Sequence, residues 1–100
     1  MPVIMILRLK ADPAAVEETA RTHADTLNEI ARLGREAGAV RHTFAGRDGE
    51  VLVIDEWPDE ATFQEFFDNQ PDIPRIMQAA GVQGPPEISF YRKLDTTDQF

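Results

Sequence analysis

The segment Val51–Phe67, VLVIDEWPDEATFQEFF, joins an apolar run to a helix start and decides the fold. Its first four residues are all apolar, whereas a strand with one wetted face would alternate apolar and polar residues. Pro58-Asp59 then ends the strand, because proline lacks an amide hydrogen and aspartate is a favoured N-cap. Phenylalanines follow at positions 63, 66 and 67, which is helical spacing. The segment therefore predicts a strand covered on both faces that leads directly into a helix.

A β-hairpin is predicted immediately before this segment. An Asp-Gly pair at 48–49 separates two strand-like runs, 39–45 and 51–57. Aspartate and glycine tolerate the positive φ angles of a two-residue type I′ turn. That turn would place His42 opposite Asp55, and it would place the next pair of potentially opposite charge, Arg41 and Glu56, on the other face of the sheet. The sequence leaves open which of the two faces meets the helices.

The first half of the chain predicts a strand followed by one long helix. Residues 3–9, VIMILRL, are rich in apolar and β-branched side chains, which is typical of a strand. An Asp-Pro pair at 12–13 is a helix-start signal. Apolar positions then recur at spacings of four and three until Gly34 or Gly38 ends the helix. His23 falls on this apolar stripe, so it is expected on the buried side of the helix.

The second half predicts a helix interrupted at Pro71 and Pro74, and a last strand at 87–94. The resulting order, βαββαβ, is the ferredoxin-like arrangement. The expected fold is therefore α+β: a four-stranded antiparallel sheet with helices on one face. Residues 1–94 are expected to form a single domain, and residues 95–100 a polar C-terminal tail.

Helices on one face would leave the other face of this sheet uncovered. The first and third strands carry apolar side chains on that face as well, namely Ile4, Ile6, Leu52 and Ile54. An open apolar face of several hundred Å² would favour aggregation, and its burial is favourable at about 25 cal/mol per Å². A homodimer through the sheet face would cover it. The alternative is a face that stays half wetted by its charged residues.

The opening MPVIMILRLKAD, the segment Val51–Phe67 and the final PPEISFYRKLD resemble the dimeric α/β-barrel superfamily. Within it, the chain is most similar to antibiotic-biosynthesis-monooxygenase-type (ABM-like) domains over nearly its whole length. The resemblance implies two sheets paired face to face in a dimeric α/β barrel. The family that the chain resembles includes cofactor-free oxygenases of aromatic polyketides and quinols. Heme-degrading relatives use Asn, Trp and His where this chain has Leu7, Phe66 and Arg75, so heme degradation is not expected.

Composition limits the classes of partner. The net charge of −8 argues against nucleic acid and anionic membranes, which require clustered cations. The absence of cysteine excludes disulfides and thiolate chemistry. The N-terminal apolar run is too short to span a bilayer and lacks the features of a signal peptide. We therefore expect a cytoplasmic protein, and no metal or cofactor motif is present.

General acid–base chemistry remains, and two histidines are the candidate catalytic bases. Asp55 opposite His42 would fix the imidazole tautomer and raise its basicity. His23 is the other candidate base. The competing interpretation is that both histidines are structural. The candidate substrate-binding residues are Trp57, Phe63, Phe66 and Tyr91.

The leading expectation is a cofactor-independent monooxygenase that acts on a small aromatic or quinol-type substrate in a cavity between helices and sheet. The alternative is a non-catalytic dimer that binds a small apolar ligand or has a structural role. The cavity separates the two. A closed space filled by side chains would exclude a substrate, whereas an opening that reaches His42 or His23 would indicate a site.

Overall fold

The protein is described by a computed structural model that covers residues 1–100. Four strands and four helices follow one another along the chain. They are β1 (Val3–Lys10), α1 (Pro13–Thr22), α2 (Ala24–Ala37), β2 (Arg41–Arg47), β3 (Glu50–Trp57), α3 (Glu60–Asp68), α4 (Asp72–Ala79) and β4 (Gln83–Arg92).

The strands form one sheet in the order β2-β3-β1-β4. Every neighbouring pair is antiparallel. This is the ferredoxin-like topology that the order of elements predicted, with the first and third strands in the centre. The central position of β1 and β3 explains why both have apolar side chains on each face of the sheet.

The β2–β3 hairpin has the predicted register. Residues 48–49 form the turn, and Gly49 has a φ of 77°, which glycine adopts without strain. Asp48 has no positive φ, so the predicted type I′ geometry is wrong although the predicted register is right. His42 lies opposite Asp55, and Arg41 opposite Glu56. The two-residue turn therefore sets which side chains share a face of the sheet.

Alternate residues of the central strand β1 are buried to different extents. Met5, Leu7 and Leu9 are at most 5% exposed, and they face the helices. Ile4 and Ile6 point the other way and are half-buried, because no element of the chain covers that side. We call this second side the open face of the sheet.

The predicted long helix is wrong in one respect, because it is two helices. α1 ends at Thr22 and α2 begins at Ala24, and His23 between them has a non-helical backbone. The Thr22 hydroxyl bonds to the carbonyl oxygens of Glu18 and Thr19, a local bond that competes with regular helix geometry. None of the four helices is long and apolar enough to cross a membrane.

The last strand also begins earlier than predicted. β4 includes the two prolines at 85–86, which were expected in an extended linker before it. Proline cannot donate to a sheet, but β4 lies at the edge, where one side of the strand needs no partner. The register between β4 and β1 shifts in the same region, between Arg8 and Lys10.

Two glycines near the end of α2 are expected to respond to alanine in opposite ways. A Cβ on Gly34 would lie 3.5 Å from Phe66, an ordinary contact, so Gly34→Ala should raise the free energy of unfolding by about 0.5–1 kcal/mol through helix propensity. Gly38 has a φ of 128°, and its Cβ would lie 2.9 Å from Pro58. Gly38→Ala should therefore lower the free energy of unfolding by at least about 1 kcal/mol. Chemical denaturation measures the free energy of unfolding of both variants. Destabilisation by Gly34→Ala would contradict the expectation that a Cβ fits beside Phe66.

Candidate functional site

A cavity of about 410 Å³ lies between the helices and the helix-facing side of the sheet. Of the 25 residues that line it, 20 are hydrophobic. The others are Gly34, Arg35, Arg41, His42 and Asp55. Its size falls within the roughly 300–1,000 Å³ of typical small-molecule sites, and a mostly apolar wall with few polar groups is their usual chemistry.

Aromatic rings form the inner wall of the cavity. The Trp57 ring centroid lies 5.5 Å from that of Phe63 and 5.4 Å from that of Phe66. Phe63 also stacks on Phe67 at 5.3 Å. Three candidate substrate-binding residues, Trp57, Phe63 and Phe66, therefore do line the cavity. Trp57 and Phe63 are at the same time part of the hydrophobic core, so the two interpretations of these rings are compatible.

The histidine–aspartate pair lies on the cavity side of the sheet. His42 Nδ1 is 2.7 Å from Asp55 Oδ1. The pair belongs to the same face as Met5, which is opposite Asp55 on β1 and is fully buried. This placement answers the question that the sequence left open. Arg41 and Glu56 point to the open face, with Arg41 Nε 3.9 Å from Glu56 Oε1.

Asp55 is held by two donors. Its Oδ1 meets His42, and its Oδ2 accepts a hydrogen bond of 3.0 Å from Trp57 Nε1. The residue is only 6% exposed, so this charge is buried with a partner on each oxygen. Because a carboxylate accepts, His42 carries its proton on Nδ1, and the lone pair of the neutral ring lies on Nε2. His42 Nε2 makes no hydrogen bond to the protein and is therefore free to accept a proton.

The hydrogen bond that His42 donates to the Asp55 carboxylate raises the pKa of His42 above its ordinary value of 6.5, and partial burial opposes the shift. The side chain of His42 is 44% exposed, so solvent screens the interaction. The pair therefore makes the His42 ring a stronger base than a free imidazole.

Replacing Asp55 with asparagine should lower the pKa of His42. Asparagine can accept from His42, but it loses the charge, and its amide NH2 would face the Trp57 N–H, donor against donor. Because folding raises the pKa of His42 in the parent protein, the stabilisation is complete below pH ~6.5 and is lost as pH rises through the folded-state value. NMR titration of the His42 ring in both proteins measures the shift, and an unchanged His42 pKa in Asp55→Asn would contradict this role.

Strand β2 forms the open rim of the cavity. All seven residues of β2 are exposed, because it is an edge strand and the helices do not cover it. Phe44 is 46% exposed and lines the cavity together with Val40 and His42. The His42 ring also meets the Phe44 ring edge-on at 5.1 Å. A ligand can therefore approach His42 from solvent past β2.

Two candidate site residues lie away from the cavity. His23 is exposed at the break between α1 and α2, and its Nδ1 lies 3.0 Å from the Thr22 hydroxyl, so the expectation of a buried His23 is wrong. Tyr91 is 57% exposed and pairs with Ile4 on the open face. Alternation along β4 turns Tyr91 away from His42, and Phe90 takes the helix side instead.

Several cavity residues were not predicted from the sequence. They are Arg35 and the α4 residues Ile73, Ile76 and Met77. Phe44 lies two residues from His42, and the predicted hairpin register already places both on one face of the sheet. Arg35 lies one turn after Ala31, another lining residue, so a helical projection of α2 would have placed it near the site.

No protein-family model matches the chain, and no curated protein matches it. Solved structures do match it. SnoaB, a cofactor-independent oxygenase from Streptomyces nogalater, has a TM-score of 0.63 at 20% identity and covers 98% of each chain. The monooxygenase from the gene ActVA-Orf6 of Streptomyces coelicolor, in complex with nanaomycin D, has a TM-score of 0.67 at 19% identity, over 98% of this chain and 92% of that one. Rv0793 from Mycobacterium tuberculosis has a TM-score of 0.62 at 16% identity, over 98% of this chain and all of that one.

The chain therefore has the fold of antibiotic biosynthesis monooxygenases. The resemblance noted in the sequence is confirmed at the level of the fold. Identities of this size establish a shared architecture, and function has to be argued from the site itself.

Proposed function

We propose that the protein binds a small aromatic molecule in the helix–sheet cavity and oxidises it with molecular oxygen without a cofactor. The observation that carries the proposal is the His42–Asp55 pair at the rim of an apolar cavity. Two oxygenases with the same fold, SnoaB and the ActVA-Orf6 monooxygenase, support the choice of reaction.

In this reaction the substrate supplies the electrons, and the protein supplies a base and a dry site. His42 Nε2 removes a proton from an acidic position of a quinol or anthrone-type ring. The resulting anion reduces O2 and forms a bond to one oxygen atom. The other oxygen atom leaves as water, so an anthrone CH2 becomes a carbonyl: anthrone and O2 give the quinone and H2O. The protonated His42 first returns its proton to the peroxide formed on the ring, and Asp55 stabilises the imidazolium meanwhile. His42 then removes the second C–H proton as the O–O bond breaks, and this proton joins the departing hydroxide to form the water.

Oxygen consumption tests the proposal. The purified protein is mixed with anthrone and with simple dihydroquinones, and uptake is followed with an oxygen electrode alongside quinone absorbance. The expected result is uptake of one O2 per quinone formed, at a rate well above spontaneous oxidation. Binding of these molecules without oxygen uptake would instead support the non-catalytic ligand-binding alternative, and absence of both would exclude the cavity as their site.

We also propose that the open face is the interface of a homodimer, as in a dimeric α/β barrel. Four half-buried apolar side chains lie side by side there, Ile4, Ile6, Leu52 and Ile54. Charged groups border them and are already paired within the chain. Lys93 Nζ lies 2.9 Å from the buried Glu56, and Arg8 Nε lies 2.7 Å from Glu50. An apolar centre with a polar rim is the usual anatomy of a protein interface.

Ile54→Lys should convert the dimer to a monomer. The substitution puts a charge in the centre of the open face, and two copies would meet there as like charges without solvent. Light scattering after size exclusion measures the mass at micromolar concentration. Ala61→Lys, on an exposed position of α3 on the opposite side of the sheet, should leave the mass unchanged. A parent protein that is already monomeric would refute the proposal.

A further inference from the structure

The cavity wall does not share the acidic character of the chain. The whole chain has a net charge of −8, yet Asp55 is the one carboxylate that lines the cavity. Two arginines line it as well, but the guanidinium of Arg41 is turned to Glu56 on the open face, which leaves Arg35. Both oxygens of that carboxylate are already bonded, to His42 and to Trp57. A ligand in the cavity therefore meets Arg35 at its wall, and it meets no free carboxylate.

Arg35 is also one of the few arginines without an acidic partner. Six of the eight arginines have a carboxylate oxygen within 4.0 Å: Arg8, Arg21, Arg32, Arg41, Arg47 and Arg75. Arg41 is paired with Glu56 on the open face, so its charge is shared there. Arg35 and Arg92 make no ion pair, and of these two only Arg35 lines the cavity.

The position of Arg35 in α2 accounts for part of this arrangement. It lies in the last turn of the helix, where a cation interacts favourably with the helix dipole. The dipole gives no reason for Arg35 to line an apolar cavity next to the buried Gly34. Arg35 is exposed while it lines the cavity, so it lies at the mouth, where a polar substituent of a bound ring would point to solvent.

Resting on the proposed function, we infer that the ligand is an aromatic molecule bearing a carboxylate, which Arg35 binds at the cavity mouth. A guanidinium presents two parallel N–H donors, which match the two oxygens of a carboxylate. The fused rings of the ligand pack against Trp57 and Phe66, and the carboxylate stays at the solvent edge. Arg35 thereby determines specificity for acidic over neutral aromatic compounds.

A matched pair of ligands tests the inference: anthraquinone-2-carboxylate and anthraquinone-2-carboxamide, which share the ring system and differ in charge. Isothermal titration calorimetry gives their Kd values, and quenching of Trp57, the single tryptophan, gives a second readout. The parent protein should bind the carboxylate at least about tenfold more tightly than the amide, as expected for a charge-assisted hydrogen bond. Arg35→Gln should remove this preference, whereas Arg92→Gln, at the other unpaired arginine, should keep it.

Other outcomes separate the inference from the proposed function. Equal affinity of the parent protein for both ligands would overturn the role of the carboxylate and leave the aromatic site standing. A preference that survives Arg35→Gln and is lost in Arg41→Gln would overturn the assignment to Arg35. Binding of neither ligand would overturn the cavity as an aromatic site and the inference with it.

Discussion

Replacing Trp57 with alanine is expected to lower the free energy of unfolding by about 3–5 kcal/mol, the usual cost of removing a large buried aromatic side chain. Trp57 is 2% exposed and packs against Phe63 and Phe66, so its removal enlarges a cavity that already exists. The substitution also leaves Asp55 Oδ2 without its donor. Because a domain of this size has only about 5–15 kcal/mol of stability, the variant should be close to unfolding.

Two further variants separate the causes of this loss. Trp57→Phe keeps most of the ring packing and removes only the Nε1 donor, so it should cost less than Trp57→Ala. Phe44→Ala removes an aromatic ring that is 46% exposed at the rim, and it should cost much less than either. Urea denaturation followed by circular dichroism gives all the values. A loss below about 1 kcal/mol for Trp57→Ala would show that Trp57 is not part of the stabilising core.

Replacing His42 with alanine should reduce kcat for oxygen uptake by about 10²–10⁴-fold, the usual contribution of a general base. Asp55 cannot take over, because its oxygens are buried and Trp57 Nε1 occupies one of them. In the parent protein the rate should rise with pH through the raised pKa of His42, since only the neutral ring accepts a proton. The variant should lack that dependence.

Chemical rescue distinguishes a base from a merely structural residue. His42 lies at the exposed strand β2, so added imidazole can reach the space that the substitution vacates. Rescue of oxygen uptake by imidazole is expected, with a dependence on the fraction of neutral imidazole. His23→Ala is the control and should retain activity within about twofold, because His23 lies outside the cavity and lacks contact with the reacting centre. Activity of His42→Ala within tenfold of the parent would rule out the proposed role.

The sheet and the His42–Asp55 pair could be predicted from the sequence, because the hairpin that brings the pair together is a local structure. A two-residue turn fixes the register of a hairpin, and strict alternation then fixes every face, so His42 and Asp55 had to meet. The direction of that face depended on long-range packing of α2 to α4, which alternation along a strand cannot supply. The hydrogen bond that Trp57 donates to Asp55 joins residues two apart on one strand. It was not predicted because it requires a buried carboxylate, and aspartate is seldom buried.

The errors arose where local chemistry or distant pairing decided the outcome. The apolar spacing of the predicted helix continues across His23, so the pattern gives no sign that the helix breaks there. The break lies beside Thr22, whose hydroxyl donates to the carbonyl oxygens of Glu18 and Thr19. The face of Tyr91 depends on the register of β4 with β1, two strands that are far apart in sequence and whose pairing contains an irregularity. Arg35 was missed because an exposed arginine near a helix end has an ordinary explanation in the helix dipole.

Strand β3 has a consequence for how the protein can change over time. Its consecutive residues Asp55 and Glu56 belong to opposite surfaces, one to the cavity and one to the open face. Point substitutions along β3 can therefore alter chemistry at one surface while the other keeps its residues. Deleting a single residue between Val51 and Ile54 would exchange the two sets, placing Glu56 beside His42. Insertions and deletions in β3 should therefore be tolerated in evolution far less often than substitutions.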